Sequence, residues 1–283
     1  MRTEKEMMNL ILDVAGKDER IRVVAMNGSR ANPRAPKDRF QDYDIVYMVT
    51  EMEPFISDNH WVKVFGEQII MQTPERMNLF PPESNTLSFH YLMLFADGNR
   101  IDLTFLPLGK KKEYIASDSL IVLLLDKDNC MPEIPISSDK DYWVIPPTKV
   151  LFNDCCNEFW WVSTYVAKGL WRKELLYANY HLNDCVRPML IKMLEWQIGT
   201  ETDFSLSIGK CGKYLEKYLS KETWDLLTST YLNDGYDNIW NSLFICCDLF
   251  RESGKLVSKY FGYDYPLEED RKVTSYLKYI KSI

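Results

Sequence analysis

Asp42 and Asp44 stand two residues apart in Asp42-Tyr43-Asp44-Ile45-Val46-Tyr47-Met48-Val49, a run whose apolar and aromatic content predicts a strand. Strand positions i and i+2 face the same side, so the two carboxylates repel each other unless a cation lies between them. Hard divalent cations such as Mg²⁺ take oxygen ligands of this type. A third carboxylate, Asp102, lies in Arg100-Ile101-Asp102-Leu103-Thr104-Phe105-Leu106 with an aliphatic residue on either side. A charge in that setting is costly unless it is paired or bound to metal. Upstream, the apolar run Ile21–Met26 ends at Asn27-Gly28-Ser29. That pattern predicts a buried strand entering a tight turn whose glycine lets backbone come close to a neighbouring group.

The elements that must position these residues follow from periodicity. Residues 3–18 predict a helix with Met7, Leu10, Ile11 and Val14 on one face. A loop over 32–37 separates the first two strands. Residues 54–65 predict a helix capped by Asp58, 68–72 a short strand ended by Pro74, and 80–85 a loop. Residues 89–95 and 100–106 predict a hairpin about Asp97-Gly98-Asn99. A short helix over 110–116 and a strand over 120–125 complete this half. Four prolines mark 130–147 as a connection, and only helical spacing follows it. Thr148 caps a helix carrying Cys155, Phe159, Val162 and Val166; a second runs over 172–196, divided or kinked by Pro188. Residues 213–219, 221–232, 236–261 and 269–283 complete a helical bundle. The expected fold is α+β, with a mixed sheet and flanking helices over 1–135 and a helical domain over 136–283.

At 283 residues, 46% hydrophobic and 27% charged, the chain has the composition of a folded protein with two cores. No apolar run approaches the ~20 residues that span a bilayer, and the start lacks a signal-peptide core. The seven cysteines, with adjacent pairs Cys155-Cys156 and Cys246-Cys247, show no zinc spacing with His60, His90 and His181. Reduced thiols in helix cores and a cytoplasmic location are expected. A net charge of −7 disfavours nucleic acid and suits a cationic small molecule.

Gly28-Ser29, a loop, Asp42-x-Asp44 and a later strand Asp102 together resemble the signature of the polymerase-β-like nucleotidyltransferases. Longer stretches are similar to the aminoglycoside 6-adenylyltransferases over nearly the whole chain. They include Gly28-Ser29-Arg30-Ala31-Asn32, Phe40-Gln41-Asp42-Tyr43-Asp44-Ile45, Tyr91-Leu92-Met93-Leu94-Phe95 and Asp154-Cys155-Cys156-Asn157-Glu158-Phe159-Trp160. The resemblance implies ATP and two Mg²⁺ ions, AMP transfer to streptomycin, pyrophosphate release and antibiotic resistance. It assigns Asp42 and Asp44 to both ions and Asp102 to the ion nearer the acceptor hydroxyl, whose proton it can take. Gly28 and Ser29 are expected on the β- and γ-phosphates. Arg30 is read either as added charge on the same phosphates or as a solvated loop arginine.

The second half is expected to complete the site. Lys168, Arg172 and Lys173 form one basic cluster, and Lys210 and Lys213 a second beside Gly209 and Gly212. Each is either a triphosphate contact or a solvated helix face; Lys168 and Lys210 are the chosen candidates. Guanidinium groups on the acceptor call for carboxylates and aromatic faces. Glu158, Trp160, Trp161 and Trp171 offer them, unless the tryptophans are core. Tyr180 stands where the family often carries an acid before the histidine matching His181, which puts acceptor range in question. A monomer or weak homodimer is expected. Two alternatives stay open: another acceptor, whether a different aminoglycoside or a protein hydroxyl, or a non-catalytic nucleotide-binding partner protein.

Overall fold

Alternation of apolar and polar residues over most of the first half produces a six-stranded mixed sheet. In the computed structural model, which describes residues 1–81, 87–232 and 234–283, the chain forms two compact units, Met1–Asp141 and Tyr142–Ile283. The first runs α1 (Glu4–Lys17), β1 (Ile21–Met26), α2 (Gly28–Ala31), β2 (Tyr43–Val49), α3 (Glu53–Ile56), β3 (Gln68–Gln72), β4 (Phe89–Phe95), β5 (Arg100–Pro107), α4 (Lys111–Ser117) and β6 (Val122–Asp126). The strand order is β3-β4-β5-β2-β1-β6. β2 and β5 pair in parallel, and the remaining neighbours are antiparallel. The architecture is α+β.

The central strand β2 is covered on both faces, which explains its nearly continuous apolar sequence. Tyr43, Ile45, Tyr47 and Val49 enter the larger core with Met7 and Ile11 of α1. Val46 and Met48 face a smaller cluster with Tyr114 and Ile121. Asp44 shares the Val46 side by the two-residue period. Phe105 of β5 is a hub, with ring centroids 4.9 Å from Phe55, 5.4 Å from Trp61 and 5.8 Å from Tyr47. The buried Tyr47 hydroxyl donates to the Ile11 carbonyl at 2.6 Å, so its polar end is satisfied.

Helix α1 starts with a capping box between Thr3 and Glu6. Just ahead of it, Arg2 latches the start of the chain to the β4–β5 turn. Its Nε donates to Asp97 at 2.6 Å, its Nη1 donates to the Phe65 carbonyl, and the Asn99 amide donates to the Arg2 carbonyl at 3.2 Å.

Several expectations are corrected. Residues 54–65 form two pieces, α3 and a 3₁₀ turn over Asn59–Phe65, because the Asp58 carboxylate accepts from the His60 amide and opens a new start. Gly28-Ser29 begins the short helix α2 rather than a simple turn. Strand β2 begins at Tyr43, so Asp42 immediately precedes it. Of the loop expected over 80–85, Pro82, Glu83, Ser84 and Asn85 lie outside the described residues.

The second unit is helical: α5 (Lys149–Trp171), α6 (Leu175–His181), α7 (Arg187–Glu201), α8 (Leu215–Tyr218), α9 (Lys221–Ser229), α10 (Tyr236–Phe261) and α11 (Leu267–Ser282). The Thr148 hydroxyl caps α5 by accepting from the Leu151 amide. The helix expected over 172–196 is not continuous. A π turn over Leu182–Val186 joins α6 to α7, and Pro188 falls in the first turn of α7, where its missing donor costs little. The core is centred on Phe159 stacked 3.8 Å from Phe250. Beside it, Asp270, 2% exposed, accepts from Arg251 Nε and Nη2, each at 2.7 Å.

Candidate active site

The parallel register of β2 and β5 sets Asp44 directly beside Asp102, and Asp42 lies two residues earlier on the Asp44 side. Burial pushes the Asp44 carboxyl up to about 6, reinforced by the negative charges of Asp102 and Asp42. Asp42 is raised too, first by burial and then by Asp102, against the pull of Arg100. The three carboxylates therefore share one electrostatic neighbourhood.

Arg100 lies among them. Its Nε and Nη2 donate to the two Asp102 oxygens, each at 2.7 Å, and its Nη1 is 3.6 Å from Asp42. Among the described residues no three His, Cys, Asp or Glu side chains are already drawn into a metal-holding group. The donor set nonetheless suits a hard divalent ion: three carboxylates, of which Asp44 is raised by burial and then by the charges of the other two.

Gly28 has a specific role. Its φ is +68°, and a Cβ built there would lie 2.0 Å from Asp44 Oδ2. The group that approaches this glycine is the Asp44 carboxylate itself, for which any side chain at 28 would compete. The Asn27 amide donates to the Asp44 carbonyl at 2.9 Å, and Tyr114 donates to the Asn27 side chain at 2.5 Å, holding the turn against β2 and α4. The Ser29 hydroxyl has no hydrogen-bond partner among the described residues.

Arg30 is not a solvated loop arginine: its side chain is 8% exposed. Its Nε and Nη2 donate to the carbonyls of Asp42 and Gln41 at 3.1 and 3.0 Å, and its guanidinium stacks 3.8 Å from the Tyr43 ring. It braces the loop that delivers Asp42, and its orientation depends on the path of residues 41–43, which local sequence does not reveal.

The streptomycin adenylyltransferase family model matches residues 1–280. The chain belongs to that family. Aminoglycoside 6-adenylyltransferases from Bacillus subtilis and Campylobacter jejuni are 48% and 47% identical to it. Each alignment covers 98% of this chain, with 97% and 95% of the relative. The Staphylococcus aureus aminoglycoside 6-adenylyltransferase is 41% identical over 94% of each chain. A crystal structure of an aminoglycoside 6-adenyltransferase from Bacillus subtilis is 44% identical, covers 99% of each chain, and gives a TM-score of 0.49. Family membership makes the chain a nucleotidyltransferase, a transferase of the aminoglycoside-resistance class. Among the described residues no helix is long and apolar enough to cross a membrane.

In the second unit, exposed and half-buried aromatic side chains gather on α5 and α6. Trp161 Nε1 donates to the Tyr165 hydroxyl at 2.9 Å, Lys168 Nζ lies 4.4 Å from the Tyr165 ring centroid, and His181 is 5.3 Å from both Tyr165 and Tyr180. Trp161, Lys168 and Tyr180 are thus linked through Tyr165 and His181. Glu158 is exposed on α5, one turn before Trp161. Trp160, by contrast, is 1% exposed in the core and does not belong to this group. Lys210 is exposed and opens a separate turn in which Gly209, Cys211 and Gly212 all have positive φ.

Arg100 is the functional candidate that sequence reasoning missed. Its signal was present: it lies two residues before Asp102 on a predicted strand, so the two must share a face. Tyr165 and His181 were also missed as links, because their contact depends on how α6 returns along α5.

Proposed function

We propose that this protein transfers AMP from ATP to the 6-hydroxyl of streptomycin in a Mg²⁺-dependent reaction that releases pyrophosphate and inactivates the antibiotic. The observation that carries this is the in-register Asp44–Asp102 pair with Asp42 beside it, in a chain that belongs to the streptomycin adenylyltransferase family. Asp42, Asp44 and Asp102 would hold two Mg²⁺ ions, which when bound supply Lewis-acid stabilisation of the entering and leaving oxygens. The acceptor oxygen attacks the α-phosphorus, its bond to the β-phosphate oxygen breaks, and pyrophosphate leaves. Asp102 is the base for the hydroxyl proton. The Gly28 and Ser29 amides and the Ser29 hydroxyl serve the β- and γ-phosphates.

The unit ending at Asp141 is the catalytic domain in this scheme, and the helical unit supplies acceptor and triphosphate contacts. The Trp161–Tyr165–Tyr180 face suits a guanidinium by cation–π attraction, and Glu158 suits it by charge. Lys168 and Lys210 are the phosphate cations; the single Lys168 ammonium is already drawn to the Tyr165 ring. Consumption of ATP and seven unbridged cysteines fit a cytoplasmic enzyme.

The test is pyrophosphate release from Mg-ATP across a panel of aminoglycosides. Release dependent on streptomycin is expected. Release with a different aminoglycoside alone would move the acceptor assignment, in line with Tyr180 replacing an acid. Silence with every aminoglycoside would end the resistance assignment.

A further inference from the structure

We propose that Arg100 is a built-in counter-ion which masks Asp102, so that a divalent cation enters the carboxylate cluster only by displacing its guanidinium. This rests on Asp42, Asp44 and Asp102 being the cation-binding cluster, as proposed above. The geometry is that of a substitute ligand. Arg100 spends Nε and Nη2 on the two oxygens of Asp102, each at 2.7 Å, and keeps Nη1 3.6 Å from Asp42. One positive group thereby touches two of the three carboxylates. Among the described residues no other cationic side chain is paired with any of them; Arg30, the nearest candidate in sequence, is spent on backbone carbonyls.

The pair has no structural work that would explain it otherwise. Arg100 and Asp102 are two residues apart on one strand, so their contact cross-links no elements. With Arg100 42% exposed and Asp102 21% exposed, the pair is solvated enough to contribute little to folding. The same solvation makes it easy to open. Arg100 lies at the first position of β5, where its long side chain swings into solvent without disturbing the buried Ile101 and Leu103 that flank Asp102. A divalent ion on Asp102 and a guanidinium across both of its oxygens would be like charges within a few ångströms, which is unfavourable. Displacement relieves that repulsion, and it frees Asp102 to accept a proton.

Mn²⁺ binding, followed by the electron paramagnetic resonance of the free ion, tests this without turnover. Arg100→Gln should bind Mn²⁺ about fivefold more tightly than wild type, the scale on which a half-exposed pair competes. Arg100→Lys keeps the charge but loses the bidentate fork, and should fall between wild type and Arg100→Gln. Asp44→Asn placed on Arg100→Gln should abolish the gain. Equal or weaker Mn²⁺ binding by Arg100→Gln would overturn the inference, assigning Arg100 to orienting Asp102 alongside the ion. So would uptake that survives Asp44→Asn, equal tightening by Arg100→Lys, or no uptake by any variant. Tighter Mn²⁺ binding without pyrophosphate release would sink the adenylyl-transfer assignment and leave Arg100 as the masking group. Intact turnover with unchanged Mn²⁺ affinity would do the reverse.

Discussion

At Asp44, burial and two neighbouring carboxylates lift the folded-state pKa to about 6 from 3.8. The folded protein then holds a proton that the unfolded chain has released. Stability from this group is full below pH ~4 and is lost as pH rises through about 6. In EDTA, Asp44→Asn should therefore raise stability at pH 7 by on the order of 2 kcal/mol, with no gain at pH 4. Thermal melts at the two pH values measure it. The same variant should lose turnover by at least about 10³-fold and lose stabilisation by Mg²⁺. The strand positions of Asp44 and Asp102 were legible from the apolar runs around them. The bracing contacts of Arg30 were not legible, because its partners, the Tyr43 ring and the carbonyls of Gln41 and Asp42, depend on how a loop folds back.

Strands β1, β2 and β5 were legible as elements because their apolar runs are bounded by turn residues on both sides. Their parallel and antiparallel pairing was not, although that pairing is what brings Asp102 beside Asp44. Helix breaks were harder to see. Asp58 was identified as a cap, but the cap both starts a 3₁₀ turn and ends the helix before it. The π turn at Leu182–Val186 leaves the apolar spacing almost helical, so periodicity ran through it. At the turn between β1 and α2, Gly28→Ala must move the Asp44 carboxylate, since the added carbon would lie 2.0 Å from Oδ2. The expected result is a fall of about 10²-fold in kcat. Backbone strain at φ +68° should add about 1 kcal/mol of destabilisation. Between α10 and α11, removing the buried Asp270 carboxylate leaves the Arg251 guanidinium with only the exposed Asp248 carboxylate and the Thr274 hydroxyl. Asp270→Asn should cost about 3 kcal/mol in denaturant unfolding, while Arg251→Met with Asp270→Leu should recover most of it.

Each of the two units has its own apolar core. Net charge belongs to the whole chain. At −7, it attracts a polycationic acceptor over the screening length, which shrinks from ~30 Å at 10 mM salt to ~8 Å at 150 mM. The KM for streptomycin should accordingly rise roughly threefold across that range, with kcat little changed; steady-state pyrophosphate assays at the two salt concentrations test it. The Arg2 latch also acts across the fold, since it joins the second residue to the turn that launches β5, the strand bearing both Arg100 and Asp102. Changes at the second residue therefore reach the chemistry from a distance. Arg2→Ala would unpin the hairpin several residues from Asp102 and loosen the strand that carries it.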